Sequence, residues 1–385
     1  MTGPIREDVL SLLRKAYGSL TRALVESLKR PPRRLYARVN TLKVSIREVV
    51  RMLSEDGVEA FVDENIPDAI YFNVEGPYTL ECSSNKHVIV DLQTGISLML
   101  GSDLYRPGVL KMNEFEKGDR LLAITPEGTP VACLEAAVSS RQAKLMRKGT
   151  VGVNISSPYR APKISGTRAY AKGYIYPQSA PSIITSHVLN PREGMLVVDM
   201  NAAPGGKTSH IVQLTRGKAR VLAFDRSERK ILLLTNTLNK LGLNVNVIAI
   251  PSDSRYIHLD YNLVGKADRI LIDPPCSNLG VRPVISNVRG LHEVLSLARY
   301  QRQFLKAASK VLRKGGLLVY STCTLTLEEN ELNVLYAAEE LGFTSYELPE
   351  DPPYAEKVVY KGIVGYKFTP LKDDMPGYFI AVLTK

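Results

Sequence analysis

Apolar residues near the start of the chain recur at helical spacing: Val9, Leu12, Leu13, Ala16 and Leu20 share one face, with Leu24 and Leu28 beyond. Pro31-Pro32-Arg33-Arg34 ends that pattern and also concentrates positive charge. Residues 35–40 read as a strand. Ser45 then precedes Ile46, Val49, Val50 and Leu53, a capped amphipathic helix that stops near Gly57. With short strands expected at 58–62 and 69–72, residues 1–85 make a helix plus a small α+β unit. From 86 to 165 the texture changes to short strands, at 87–91, 120–124 and 131–137, separated by glycine and proline. That segment predicts a small β module, a barrel in kind. From 166 to 385, strands at 195–200, 219–225, 245–250, 269–273 and 316–321 alternate with helical patterns at 208–214, 228–241 and 294–312. Strand–helix alternation predicts an α/β, Rossmann-like, doubly wound sheet, with two late strands near 364–369 and 377–383.

Composition changes this picture in three ways. The 385 residues carry 50 Lys+Arg against 39 Asp+Glu, a net charge of +11, which suits a polyanionic partner as well as an ordinary basic surface. No apolar run is long enough to span a bilayer and no secretory signal opens the chain, so a cytoplasmic protein is expected. Of the four cysteines, Cys82 and Cys133 read as small apolar core residues. Two disulfides are arithmetically possible but do not suit an intracellular enzyme, and no zinc-type spacing occurs. No metal is expected. The absence of Trp and the richness in Arg, Lys and Glu hint at a thermophile.

In sheets of this kind ligands bind beyond the carboxyl ends of the strands. The first such strand runs into Asp199-Met200-Asn201-Ala202-Ala203-Pro204-Gly205-Gly206-Lys207-Thr208. Small residues and two glycines let a ligand approach the backbone, and the next helix offers free N–H groups. The end resembles a phosphate loop, but Asn201 stands where its first glycine belongs. Asp225 ends the second strand and suits a ribose diol; Asp253 follows the third and suits an adenine amino group; Asp273 ends the fourth. Three acidic strand ends favour S-adenosylmethionine over a nucleoside triphosphate.

The fourth strand leads into Asp273-Pro274-Pro275-Cys276 and the fifth into Ser321-Thr322-Cys323-Thr324, so topology brings both thiols over one cleft. Carbon 5 of cytosine is a weak nucleophile until a thiolate adds to carbon 6. A second group must then remove the carbon-5 proton, and a carboxylic acid near ring nitrogen 3 stabilises the developing charge. Two cysteines and an aspartate at strand ends fit those needs.

These blocks resemble the Nop/Sun (Fmu/RsmB-like) family of RNA cytosine-5 methyltransferases, as does Arg38-Val39-Asn40-Thr41-Leu42-Lys43 near the N-terminus. The four blocks occur in family order and cover most of the chain. The resemblance implies Cys323 as nucleophile, Cys276 in proton removal and product release, and Asp273 and Lys207 in the catalytic pocket. It also implies cofactor contacts from Asn201, Ala202, Ala203, Pro204, Gly205, Gly206, Lys207, Asp225, Lys230, Asp253 and Asp273. The family commonly has cysteine at the position of Asn201. The middle segment, through Gly101-Ser102-Asp103-Leu104-Tyr105-Arg106-Pro107-Gly108-Val109, resembles a PUA domain. Together with Arg282-Pro283 it implies an archaeal, transfer-RNA-type member acting near the 3′ acceptor end, at position 72, as a monomer. A ribosomal-RNA methyltransferase of the same chemistry and a non-catalytic RNA-binding protein are the alternatives.

The candidate RNA ligands are Arg33, Arg34, Arg38, Asn40, Tyr105, Arg106, Arg282, the run Arg141, Lys144, Arg147 and Lys148, and the cluster Arg160, Lys163, Arg168 and Lys172. Tyr159, Tyr170 and Tyr174 are interleaved with the last cluster and offer stacking faces.

Overall fold

The computed structural model describes residues 5–286 and 289–385, and three sheets organise them. The expected N-terminal helix is two, Glu7–Tyr17 and Thr21–Leu28, separated at Gly18, whose φ of 52° breaks the α-helical path. Their apolar face does not cover the first sheet. Leu12, Leu13, Leu24 and Leu28 pack instead on Leu279, Val284 and Leu325, on the loops that follow two catalytic strands.

The first sheet is antiparallel, in the order Ile175–Pro177, Arg34–Val39, Ala69–Asn73, Phe61–Val62. Its helix, Ile46–Glu55, starts where Ser45 and Glu48 form a reciprocal capping box. Ile175–Pro177 lies beyond the middle module in sequence, inside the segment expected to open the catalytic unit, and pairs with Arg34–Val39. The first unit is therefore discontinuous, with the β module inserted between its third and fourth strands.

The inserted module is a six-stranded sheet that also carries a helix, Leu92–Met99, not foreseen from the pattern. Cys82 and Cys133 are joined in a disulfide, correcting their reading as free core residues. The bridge fastens the extended segment before His87–Val90 to the strand Pro130–Ala136.

The catalytic sheet runs Val247–Pro251, Arg220–Asp225, Leu196–Asp199, Ala267–Ile272, Leu312–Thr322, all parallel, and then Tyr378–Thr384, Ile363–Phe368 and Glu356–Tyr360, antiparallel. Alternate residues feed two cores. Val197, Val221 and Leu271 meet helices Ala180–Leu189, Gly206–Leu214 and Glu228–Leu241, whereas Val198, Phe224 and Ile270 meet Leu291–Val311 and Glu331–Leu341. Helices on both faces are what a buried parallel sheet requires. No helix among the described residues is long and apolar enough to cross a membrane.

Candidate active site

Chain order reverses about Leu196–Asp199, which lies between Arg220–Asp225 and Ala267–Ile272, so a crevice opens at its carboxyl end. Asp199 closes the turn there, accepting from Thr208 Oγ1 at 2.7 Å and from the Asn201 N–H at 3.3 Å. Burial pushes its carboxyl up to about 6. Gly205 has a φ of 110°, and a Cβ on Gly206 would stand 2.9 Å from the Tyr176 ring, so the turn needs both glycines.

Two hollows meet at Asn201. One, of about 220 Å³, is lined by Asp199, Asn201, Ala202, Ala203, Pro204, Gly206, Lys207 and Asp273, together with Tyr176, Gln178 and Ser182. The other gathers Asn201, Asp225, Lys230 and Asp253 with Arg226, Tyr300 and Phe304. Asn201 Oδ1 is buried without a partner, and Asp225 is met by Lys230 at 3.2 Å. An orphaned acceptor between an acidic end and a glycine turn fits a cofactor with hydroxyls at one end and an ammonium at the other. Asp253 lines this second hollow with its carboxylate held by Arg255 at 2.5 Å, which lowers its pKa.

Beside this crevice the two distant thiols meet. Cys276 Sγ and Cys323 Sγ are 3.2 Å apart, and each reaches Asn278 Oδ1, at 3.2 and 3.0 Å. Cys276 is 5% exposed and Cys323 is more open. The contact with Cys323 and burial together push the Cys276 thiol well above its ordinary value. Lys207 Nζ donates to Asp273 Oδ2 at 2.5 Å, while Ser321 Oγ and the Tyr378 hydroxyl reach Oδ1 at 3.2 and 3.4 Å. Burial alone would lower the Lys207 pKa, but the Asp273 charge, Tyr378 and the hydrogen bonds to both together outweigh it and raise it. Tyr378 is pushed up to about 12 by burial and by Asp273.

Several expected RNA ligands turn out to be internal. Arg38 is 1% exposed and donates to Gln178, Ser209 and Gln213; Asn40 is 1% exposed and donates to the Leu241 carbonyl at 2.8 Å. Both fasten the first sheet to the catalytic unit, because a strand flush against another domain buries even its polar side chains. Arg168 and Lys163 are exposed but paired, Arg168 with Glu55 and Asp56 at 2.8 and 2.6 Å and Lys163 with Asp103 at 2.9 Å, while the half-buried Arg106 donates to the Ala143 and Val109 carbonyls. Tyr105, Lys144 and Arg147 are exposed on the inserted module. A basic groove of about 820 Å³ lies between all three units, lined by Arg30, Arg33, Arg34, Arg282, Tyr36, Tyr159 and Tyr354. Arg282 lines it while paired with Asp374 at 2.8 Å. Sequence reasoning missed Tyr176, Gln178, Tyr300, Asn278 and Tyr378; of these, only Asn278, in the loop after Cys276, carried a positional hint.

A second unforeseen cluster sits at the domain junction. Asp68 accepts from His187 and His210 at 2.8 and 2.7 Å and from Gln213 at 3.0 Å, so its oxygens are satisfied by side-chain donors.

Comparison with known proteins agrees with this geometry. Residues 186–384 match the family model described as 16S rRNA methyltransferase RsmB/F, residues 9–79 an RsmF/B-like ferredoxin-like domain, and residues 86–156 a PUA domain. The chain is 36% identical over 372 residues to a tRNA (cytosine(72)-C(5))-methyltransferase of Pyrococcus horikoshii, covering 94% of this chain and 92% of the relative. It is 30% identical over 383 residues to tRNA (cytosine(72)-C(5))-methyltransferase NSUN6 of Mus musculus, covering 90% and 78%. The crystal structure of NSun6 from Pyrococcus horikoshii with SFG superposes with a TM-score of 0.91 at 33% identity, covering 100% of this chain and 99% of that one. SFG is an analogue of S-adenosylmethionine. With matching sequence, three matching modules and a fitting crevice, the chain belongs to the Nop/Sun, RsmB/F-type family of S-adenosylmethionine-dependent RNA methyltransferases.

Proposed function

We propose that this protein methylates carbon 5 of a cytosine in transfer RNA, at position 72 by its likeness to the relatives above, through a covalent bond from Cys323 to carbon 6. The observation that carries the reading is the contact of two thiols at 3.2 Å beside the Lys207–Asp273 pair. Asn201, the glycine turn, Asp225 and Lys230 would hold S-adenosylmethionine, which supplies the methyl group that the activated carbon 5 accepts.

Cys323, the more open thiol, gives up its proton to solvent and bonds carbon 6; the electron pair of the 5,6 double bond moves to carbon 5. A proton shared between ring nitrogen 3 and Asp273, which Lys207, Ser321 and Tyr378 hold, would neutralise the charge that builds there. After methylation Cys276 takes the carbon-5 proton, the double bond re-forms, and the carbon–sulfur bond breaks. Contact with Cys323 is the largest cause of the raised Cys276 pKa. That push ends once Cys323 is bonded to carbon, so Cys276 ionises more easily at the step that needs a base.

RNA lies along the basic groove, where the arginines meet phosphates and Tyr159 and Tyr354 offer stacking faces. Transfer of labelled methyl to purified transfer RNA, mapped by bisulfite sequencing, tests the assignment. Cys323→Ala abolishes turnover and keeps cofactor binding, whereas Cys276→Ala accumulates a denaturant-resistant RNA adduct. Normal product release by Cys276→Ala would overturn the roles, and labelling of ribosomal RNA alone would overturn the substrate.

A further inference from the structure

The thiol of Cys276 stands on the loop after Ala267–Ile272 and that of Cys323 on the loop after Leu312–Thr322. One side chain joins those loops from behind. Glu329, 0% exposed, accepts from the Ser277 N–H at 2.9 Å on Oε1 and from the Ser277 hydroxyl at 2.5 Å on Oε2. The same Oε2 accepts from Thr324 at 3.3 Å and Thr326 at 3.0 Å, residues on the other loop. Gln301 Nε2 links Oε1 to the Pro275 carbonyl, each at 3.0 Å, and the Ser277 and Thr324 hydroxyls lie 2.6 Å apart. Ser277 adjoins Cys276 and Thr324 adjoins Cys323, so the carboxylate grips both loops one residue from each sulfur.

We propose that Glu329 is the positioning residue of the active site, a clasp that holds the two thiol loops at fixed separation. The inference rests on the reading of Cys276 and Cys323 as the reacting pair. A base cannot enter between sulfurs already in contact unless they part. With both loops gripped at Ser277 and Thr324, that parting falls to rotation of the cysteine side chains. The clasp also has an electrostatic side, since the Glu329 charge adds to the Cys323 contact and burial in opposing ionisation of Cys276. The other titratable groups around the pair are Asp273, Lys207, Tyr320 and Tyr378, which stay in place in a Glu329 variant.

Glu329→Gln and Glu329→Ala test this in the full-length protein. The hydroxyls of Ser277, Thr324 and Thr326 can each turn to accept from an amide, so glutamine fits the same space without the charge. Diamide, which takes two electrons and two protons from a thiol pair to leave a disulfide, reports on sulfur proximity without RNA. Expected for Glu329→Ala are slow Cys276–Cys323 oxidation and a kcat lowered about 10²-fold, the cost of an ångström-scale misplacement, with KM and cofactor affinity kept. Expected for Glu329→Gln is iodoacetamide labelling that shifts to lower pH while turnover falls. Wild-type oxidation rates in Glu329→Ala, or a labelling profile in Glu329→Gln superimposed on wild type, overturn the inference. So does a kcat loss that only tracks lost thermal stability and cofactor binding. Full turnover by Cys323→Ala would instead remove the reading on which it rests.

Discussion

Replacing Arg38 by methionine separates a structural role from an RNA-binding one. Its guanidinium is 1% exposed and donates to Gln178 Oε1 at 3.3 Å, to Ser209 Oγ at 2.6 Å and to Gln213 Oε1. Losing the donor strands three buried acceptors, at about 2 kcal/mol each. Burial also lowers the Arg38 pKa to about 10, and releasing that buried charge offsets about 3 kcal/mol of the loss. The net cost is about 3 kcal/mol, a fall of roughly 10 °C in the melting temperature of a unit the size of the catalytic one. The assay is thermal unfolding followed by circular dichroism, beside RNA affinity measured across a salt series. A phosphate ligand would behave oppositely: melting unchanged, and the salt slope reduced by about 0.7–0.9 for each phosphate left without its cation. That second pattern would refute the assignment of Arg38 to the domain junction.

Three further outcomes follow from the same geometry. A Cβ on Gly280 would stand 1.9 Å from the Gly377 carbonyl, so Gly280→Ala displaces the Cys276 loop; kcat should drop by about 10²-fold with cofactor affinity retained, checked by single-turnover kinetics and calorimetry. Burial lowers the His210 pKa to about 3, below its unfolded value of 6.5, so the unfolded chain binds more protons between those pH values. Relative to His210→Gln, wild type should therefore lose about 1.4 kcal/mol per pH unit as pH falls from 6.5 towards 3, read from urea midpoints. Reducing Cys82–Cys133, which spans 51 positions, should cost the inserted module up to about 4 kcal/mol in chain entropy, visible as an earlier unfolding step in calorimetry.

The catalytic sheet was legible because its strands are buried on both faces and read as apolar runs ending in Asp199, Asp225 and Asp273. With strand order in hand, the meeting of Cys276 with Cys323 follows from both loops leaving the carboxyl ends of neighbouring parallel strands. Helix Glu228–Leu241 has the bounds expected from its amphipathic spacing. Ala180–Leu189 escaped notice because it is buried almost all round and shows no polar face. The charge of Arg38 suggested solvent, since no local pattern records that a neighbouring domain will cover a strand. Pairing of Ile175–Pro177 with Arg34–Val39 was illegible for a similar reason: three residues carry no period, and their partner is over a hundred positions away. The disulfide failed on a compartment argument, and spacing alone says nothing of which sulfurs approach.

Because the β module leaves and re-enters the first sheet, two chain segments hold it. They are zipped together where Glu75 and Arg160 exchange backbone bonds at 2.9 and 3.0 Å and the Tyr78 N–H meets the Pro158 carbonyl at 2.7 Å. A single tether would let the appendage swivel; a paired stalk transmits torque instead. The bearing of the outer module on the reaction centre is thus set by that paired stalk together with Ile285, which reaches from the loop after Cys276 into the module's core, and lengthening one strand of the stalk alone would set the two supports against each other.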